Sequence, residues 1–245
     1  MSASKVIDPF PTIDYLVLCP VCRKRRSVVH LLRMPKPGEV IEMICDGCRS
    51  ARHQEQLRIQ EGRQHAERLQ AWEQMCPRRY RLFDPDRFDG NAEMMARAME
   101  WEFGPRGLVL HGHTGQGKSW AAFRIAKREH FAGRKVTVVN GNRLREIVSI
   151  VTESNYRYNE ALGRIIRAEL LILNDPFKAK ITDKIEEALW EIIDERHEWE
   201  RPIILTMNGV AANIEPMLSP DRGAALFRRL REENQTIHFP EPKQH

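Results

Sequence analysis

The stretch Gly112-His113-Thr114-Gly115-Gln116-Gly117-Lys118-Ser119 gathers three glycines, a lysine and two hydroxyl side chains in one short run. It matches the pattern GxxxxGK[ST] at every position, directly after an apolar run and at the opening of a helical one. Glycines there let backbone N–H groups turn inward around phosphate oxygens, and the following helix adds the positive end of its dipole. Lys118 is spaced to reach the β- and γ-phosphates of a nucleotide, and the Ser119 hydroxyl to take one position around Mg2+. The chemistry this predicts is ATP binding. His111 and His113 read as loop and packing residues.

Phosphoryl chemistry at such a loop needs a carboxylate at the end of a neighbouring strand, often followed by another that orients water. The good candidate is Leu170-Leu171-Ile172-Leu173-Asn174-Asp175-Pro176, where Asn174 stands at the first acidic position. Asp175 then orients water, or the register shifts so that it serves the metal. An asparagine can hydrogen-bond a metal-bound water but brings no negative charge, so hydrolysis can be slow, or lost while ATP binding survives. Ile203–Thr206 ends in Met207-Asn208, and Asn208 either senses the terminal phosphate or starts a turn before Gly209. Arg228 and Arg229, in DRGAALFRRLREENQTIHF, offer an arginine finger to a neighbouring subunit or are ordinary surface arginines; Arg222 is a weaker candidate.

A second chemistry lies near the N-terminus. Cys19-Pro20-Val21-Cys22 and Cys45-Asp46-Gly47-Cys48 form two CxxC pairs separated by residues 23 through 44. Four thiolates suit tetrahedral Zn2+, and each pair lets two sulfurs converge from a tight knuckle. A closed site of four cysteines folds a module and does not catalyse. The basic run Arg23-Lys24-Arg25-Arg26 beside the first knuckle suits phosphates, an acidic protein surface or plain solvation. Cys76 reads as a free thiol at a helix end.

These residues need scaffolds. At 245 residues the chain holds one domain of ordinary size and a small appendage. A net charge of +5 and a pI near 9.0 permit nucleic-acid contact without demanding it. Neither a secretory signal nor a membrane-length apolar run is visible, so a cytoplasmic location and no membrane partner are expected. Residues 1–50 form the expected zinc-binding module, with β-prone pieces at Tyr15–Leu18, Val28–Leu32 and Val40–Ile44 and a turn at Pro35–Gly38. Residues 51–76 form a polar linker helix, with Leu69, Trp72 and Met75 as a short contact stripe, ended by Pro77. Residues 77–245 form the core. Strands are expected at Leu108–Leu110, Val136–Val139, Leu170–Leu173, Ile203–Thr206 and Thr236–Phe239. Helices are expected at Lys118–Phe131, at Leu144–Val151, after a Thr182 cap and through Leu226–Leu230. Strands alternating with helices imply a parallel sheet covered on both faces.

From about Cys76 to Phe239 the chain resembles the bacterial and phage helicase loaders of the AAA+ ATPases, the DnaC and DnaI type. It is also similar to the IstB-like ATPases of transposition. The resemblance rests on CPRRYRLFDPDRF, RGLVLHGHTGQGKSWAAFRIA, LLILNDP, ALWEIIDERHEWERPIILTMN and RRLREENQTIHF in that order. It implies an α/β fold, with a P-loop AAA+ core of parallel sheet flanked by helices, and the zinc-ribbon-like module expected from the cysteines is compatible with some loaders. It makes Gly112–Ser119 the nucleotide loop, Asn174-Asp175 the acidic motif, Asn208 the sensor and Arg229 the finger, with Pro77–Tyr80 near the adenine. It also implies ATP-dependent loading of a replicative helicase onto single-stranded DNA, with the N-terminal region gripping the helicase and subunits meeting at their ATP sites. The alternatives are a transposition regulator that assembles on duplex DNA and a nucleotide-gated adaptor with little turnover.

Overall fold

The computed structural model describes residues 13–24, 26–31, 34, 36–37, 39, 43–82, 88, 90–149, 155–178, 181–209 and 211–241. They divide into two units, Met1–Glu67 and Arg68–His245. In the first, β1 (Ile13–Leu18) and β2 (Arg26–Leu31) pair antiparallel, with Tyr15 opposite Val29 and Leu18 opposite Arg26. The expected strand at Val40–Ile44 and turn at Pro35–Gly38 fall largely on residues outside the described ones. Helix α1 (Asp46–Met75) starts inside the second cysteine pair, and the unit boundary falls within it. Of the expected stripe at its end, Trp72 is buried and Met75 packs on the core of the second unit, while Leu69 is exposed.

The second unit is built on five parallel strands. They are β3 (Gly107–Gly112), β4 (Val136–Asn140), β5 (Leu170–Asn174), β6 (Ile203–Asn208) and β7 (Asn234–Phe239), side by side in the order β4-β5-β6-β3-β7. Strand side chains alternate between faces with period two. Leu108, Leu110, Leu170, Ile172, Ile204, Ile237 and Phe239 therefore join one core, and Val109, Leu171, Leu173, Ile203, Leu205 and Met207 join the other. The bare apolar run Leu170–Leu173 is buried on both sides, as a central parallel strand requires.

On the first face lie α3 (Ala92–Met99) and α4 (Lys118–Phe131), with Ala121, Ala122, Ile125 and Ala126 against the sheet. The single turn α2 (Arg78–Arg81) starts at Pro77, and its Tyr80 stacks on Phe123 of α4, ring centroids 4.5 Å apart. The second face carries α5 (Gly141–Ser149), α6 (Asn155–Arg167), α7 (Asp183–Glu198) and α9 (Pro220–Glu233), with the short α8 (Ala211–Ile214) before α9. Thr182 holds the N-cap position of α7, but its hydroxyl makes no cap bond, and its carbonyl accepts the Glu186 N–H instead. Helices α3 and α6 were not expected. Tyr158, Leu162, Ile165 and Ile166 recur on one face of α6, a helical period that short flanking polar runs disguise.

Arg196 on α7 is fully buried, with no carboxylate partner among the described residues. Its Nη1 donates to the carbonyls of Ile165, Ile166 and Ala168, and its Nη2 donates to Pro202 at 2.7 Å. The guanidinium thus caps the C-terminal end of α6, where the helix dipole favours a cation, and ties it to the chain entering β6. Burial lowers its pKa to about 9, and Arg201 nearby adds to the shift.

Candidate functional site

The phosphate loop joins β3 to α4, at the C-terminal edge of the sheet. Gly112, Gly115 and Gly117 all take positive φ, at 121°, 84° and 98°. Two of them are also packed against neighbours. A Cβ on Gly112 would lie 2.1 Å from the Phe239 carbonyl, and one on Gly117 would lie 2.5 Å from the Phe88 ring. Backbone bonds fix the loop from both sides. Gly112 and Gly209 exchange a reciprocal pair at 3.0 Å each, and the His113 N–H donates to the Phe239 carbonyl at 2.9 Å. The Asn91 N–H donates to the Gln116 carbonyl at 3.0 Å, while the Asn91 side chain caps α3 by accepting from the Met94 N–H.

Lys118, the first residue of α4, is only 6% exposed. Its ammonium folds back onto its own loop and donates to the Gly112 and His113 carbonyls at 3.1 and 2.6 Å. Burial lowers its pKa, with the Asp175 carboxylate opposing that shift. A buried cation held by loop carbonyls, inside a glycine cradle at a helix N-terminus, is a fit for nucleotide phosphates.

Asn174 ends β5 and lies opposite Thr206 of β6. The Thr206 hydroxyl donates to Asn174 Oδ1 at 3.1 Å and accepts the Asp175 N–H at 3.0 Å. Asp175 follows with φ of 52°, in the left-handed region, where a short polar side chain is among the few tolerated. Its Oδ2 accepts from Asn208 Nδ2 at 2.8 Å. Burial raises the Asp175 pKa, opposed by Lys178, by Lys118 and by the bond from Asn208.

β6 lies between β3 and β5, so Asn208 at its end lies between the phosphate loop and the acidic position. Gly112–Ser119, Asn174, Asp175 and Asn208 thus share one sheet edge. Arg229 is elsewhere. It pairs with Asp194 of α7 and covers the Trp190 ring with its guanidinium 4.4 Å from the centroid, while Arg228 is exposed. Thr206, Phe88 and Asn91 escape a sequence reading because each acts by touching a distant segment. Asn91 alone leaves a trace, as a cap residue before a helix.

The second candidate centre lies within the N-terminal unit. The sulfurs of Cys19, Cys22, Cys45 and Cys48 all fall within 4.8 Å of one another, and those of Cys22 and Cys45 are 3.8 Å apart. Tetrahedral zinc with bonds of about 2.3 Å places its sulfurs about 3.8 Å apart. The two knuckles repeat one turn: the Arg23 N–H donates to the Cys19 carbonyl and the Arg49 N–H to the Cys45 carbonyl, both at 2.9 Å. Backbone N–H groups, that of Cys22 first, pull Cys19 down to about 6, whereas the Cys45 thiol pushes Cys48 up to about 12. Such crowded thiols cannot all ionise without a cation between them, so the set fits a metal ion. Cys76 is buried outside this cluster, and burial pushes its thiol up to about 11.

Among the described residues no helix is long and apolar enough to cross a membrane. No curated protein matches the chain in sequence. Among solved structures, a DnaC helicase loader aligns with a TM-score of 0.53 at 16% identity, covering 66% of this chain and 99% of that one. The replication initiator DnaA bound to AMPPCP and single-stranded DNA aligns at 0.52 with 16% identity, covering 63% and 47%. AMPPCP-bound DnaA from Aquifex aeolicus aligns at 0.49 with 16% identity, covering 59% and 44%. The chain therefore spans less than half the length of these two DnaA chains. The two likenesses above 0.5 establish the fold of the core, a P-loop AAA+ core of parallel sheet flanked by helices. The model for the IstB-like ATP binding proteins matches residues 39–236, four-fifths of the sequence, and the chain belongs to that ATP-binding family.

Proposed function

We propose that the protein is a nucleotide-switched loader that places a replicative DNA helicase on single-stranded DNA. The observation that carries this reading is the meeting of Lys118, Asp175 and Asn208 at the ends of β3, β5 and β6, in a core with the fold of the DnaC helicase loader. Residues 1–50 act as a zinc-binding module that docks the helicase, residues 51–76 as a linker helix and residues 77–245 as the ATPase core. The expected location is the cytoplasm.

In this reading the backbone N–H groups of Gly112–Ser119 receive the phosphates of ATP, and Lys118 exchanges its loop carbonyls for phosphate oxygens. Ser119, Asn174 and Asp175 surround the Mg2+ position, where the ion supplies charge neutralisation. Asn208 holds the Asp175 carboxylate and reports whether the terminal phosphate is present. With Asn174 neutral, turnover is slow, and ATP acts chiefly by favouring one of two conformations. Single-stranded DNA is received on the core. Tyr156 is 77% exposed at the start of α6, which also carries the exposed Arg157, Arg164 and Arg167, with Arg164 paired to Glu160; the ring is suited to stacking a base and the arginines to holding phosphates. Subunits meet at the ATP sites. Arg229 would have to leave Asp194 and Trp190 to serve as a finger, and the exposed Arg228 beside it is the readier donor.

The test is ATP binding and turnover by the purified protein, with and without single-stranded DNA, beside a Lys118→Ala control. Turnover that rises with single strands and disappears in the control supports the loader. Failure to bind ATP at all overturns the reading, and binding without turnover marks a nucleotide-gated adaptor. A second reading is favoured by the family match: an IstB-like transposition ATPase that assembles on duplex DNA. ATP-dependent filaments on duplex, with no response to single strands, would decide for it.

A further inference from the structure

The N-terminal unit carries a feature that neither metal binding nor nucleotide chemistry uses. Along α1, Arg49, Arg52, His53, Gln56, Gln60 and Arg63 recur at i, i+3, i+4, i+7, i+11 and i+14. That spacing puts all six on one face of the helix. Every one is exposed, and every one offers N–H donors. At 1.5 Å per residue the stripe runs for about 21 Å. Its start forms a groove of about 410 Å3 lined by Ile44, Arg49, Ser50, Arg52, His53 and Gln56, with no carboxylate in the lining. The exposed Asp46 lies 3.8 Å from Arg49 at the helix start, and the Glu55–Arg58 pair occupies other faces.

The cysteine knuckles carry charge of the same sign. Each places an arginine directly after its second cysteine, Arg23 after Cys22 and Arg49 after Cys48, and both are exposed. Lys24 follows Arg23 and is exposed as well. Arg49 also stands in the first turn of α1, the positive end of the dipole, where a cation costs helix stability. The folded unit offers it little in exchange: one contact with the exposed Asp46 and a 3.4 Å bond to the Ile44 carbonyl.

From this exposed, arginine-rich stripe we infer that the zinc-module end of α1 is a second nucleic-acid surface, holding the phosphate backbone of single-stranded DNA without reading its bases. Contacts of this kind are electrostatic, independent of sequence and sensitive to salt. The surface does not depend on ATP and belongs to the first unit, whereas Tyr156 belongs to the second. An acidic protein face would suit the same cations, but glutamines and a histidine interleaved with arginines match a backbone that presents acceptors at every step.

The experiment measures binding of a fluorescent oligothymidylate to the full-length, zinc-loaded protein without nucleotide, over a range of salt concentrations. The triple variant Arg49→Gln/Arg52→Gln/Arg63→Gln keeps helix-favouring residues on an exposed face, so it folds as the parent does. Its affinity should fall by about tenfold or more, and the slope of log affinity against log salt should drop by about 2, for three phosphate contacts at roughly 0.7 each. Arg58→Gln, which removes one charge from another face, should bind as the parent does. Lys118→Ala should also leave this binding intact, although it abolishes the ATP response of the core. Three results overturn the proposal: equal binding by the triple variant and the parent, loss of binding in Lys118→Ala, or a triple variant that loses only capture of the helicase.

Discussion

Asn208 Nδ2 donates to Asp175 Oδ2 at 2.8 Å, joining the ends of two adjacent strands at the edge where the phosphate loop lies. The asparagine fixes the rotamer of a carboxylate on a left-handed residue and favours its charged form against burial. Hydrogen bonds to charged groups contribute about 1.5–3 kcal/mol. Asn208→Ala should therefore lower ATP turnover by about ten- to a hundredfold and leave nucleotide affinity within about threefold. Steady-state turnover beside a fluorescent-nucleotide titration checks it, and equal losses in both would place Asn208 in binding instead.

Asn174 is the neutral residue where a charge is usual, and the Thr206 hydroxyl donates to its Oδ1. A carboxylate would accept the same bond, so Asn174→Asp should fold normally. It should tighten Mg2+ dependence and raise turnover by about tenfold, since charge at the metal acts directly on the phosphates. No change in the Mg2+ requirement would remove Asn174 from the metal site.

Arg196 should be a stability residue and not a catalytic one. Arg196→Met takes the guanidinium from the Ile165 and Ala168 carbonyls, whereas Ile166 still accepts from Arg201 and Pro202 from the Leu171 N–H. Unsatisfied buried acceptors cost about 1–3 kcal/mol each, and relaxation recovers part of that. A loss of about 2 kcal/mol or more is expected in denaturant unfolding. Arg196→Lys should recover little, because an ammonium cannot span the fork.

The stability of the core should also depend on pH through His111. Burial, followed by the neighbouring His238, lowers its pKa from the ordinary 6.5, and the two rings stack 4.9 Å apart. The folded state thus binds the proton more weakly than the unfolded chain. The stabilisation is fully present above pH 6.5 and is lost as pH falls from there through the lower folded value. His111→Phe should flatten the melting temperature over that interval, and an unchanged acid limb in the variant would exclude His111 as its source.

Chelation should act on the N-terminal unit alone. Four thiols drawn together to 4.8 Å repel one another once ionised, and a structural metal is also the fold of a small module. Prolonged treatment with a strong chelator should open residues 13–45 to protease and leave the core melting transition in place. A core transition that moved with the metal would mean the two units share stability.

The elements that carry the core announced themselves in sequence because each is a self-contained pattern. Lys118–Phe131 was bounded by its glycines, and Leu170–Leu173 by its unbroken apolar run. The phosphate loop and the cysteine pairs were legible for the same reason, since their spacing is local. Helix α6 was missed because its apolar positions sit among Asn, Tyr and Arg, and because a helix that only roofs a sheet needs a narrow stripe. The bonds of Thr206 to Asn174 and Asp175, and of Arg229 to Asp194, join residues more than thirty positions apart. No periodicity encodes such pairs; only the packing of strands and helices does.

β6 is fastened at both ends by unlike means. Behind its first residue, the Pro202 carbonyl is gripped by Arg196; beyond its last, Gly209 is locked to Gly112 of the phosphate loop. The strand that presents Asn208 is thereby tied at one end to the arginine that caps α6 and at the other to the nucleotide loop.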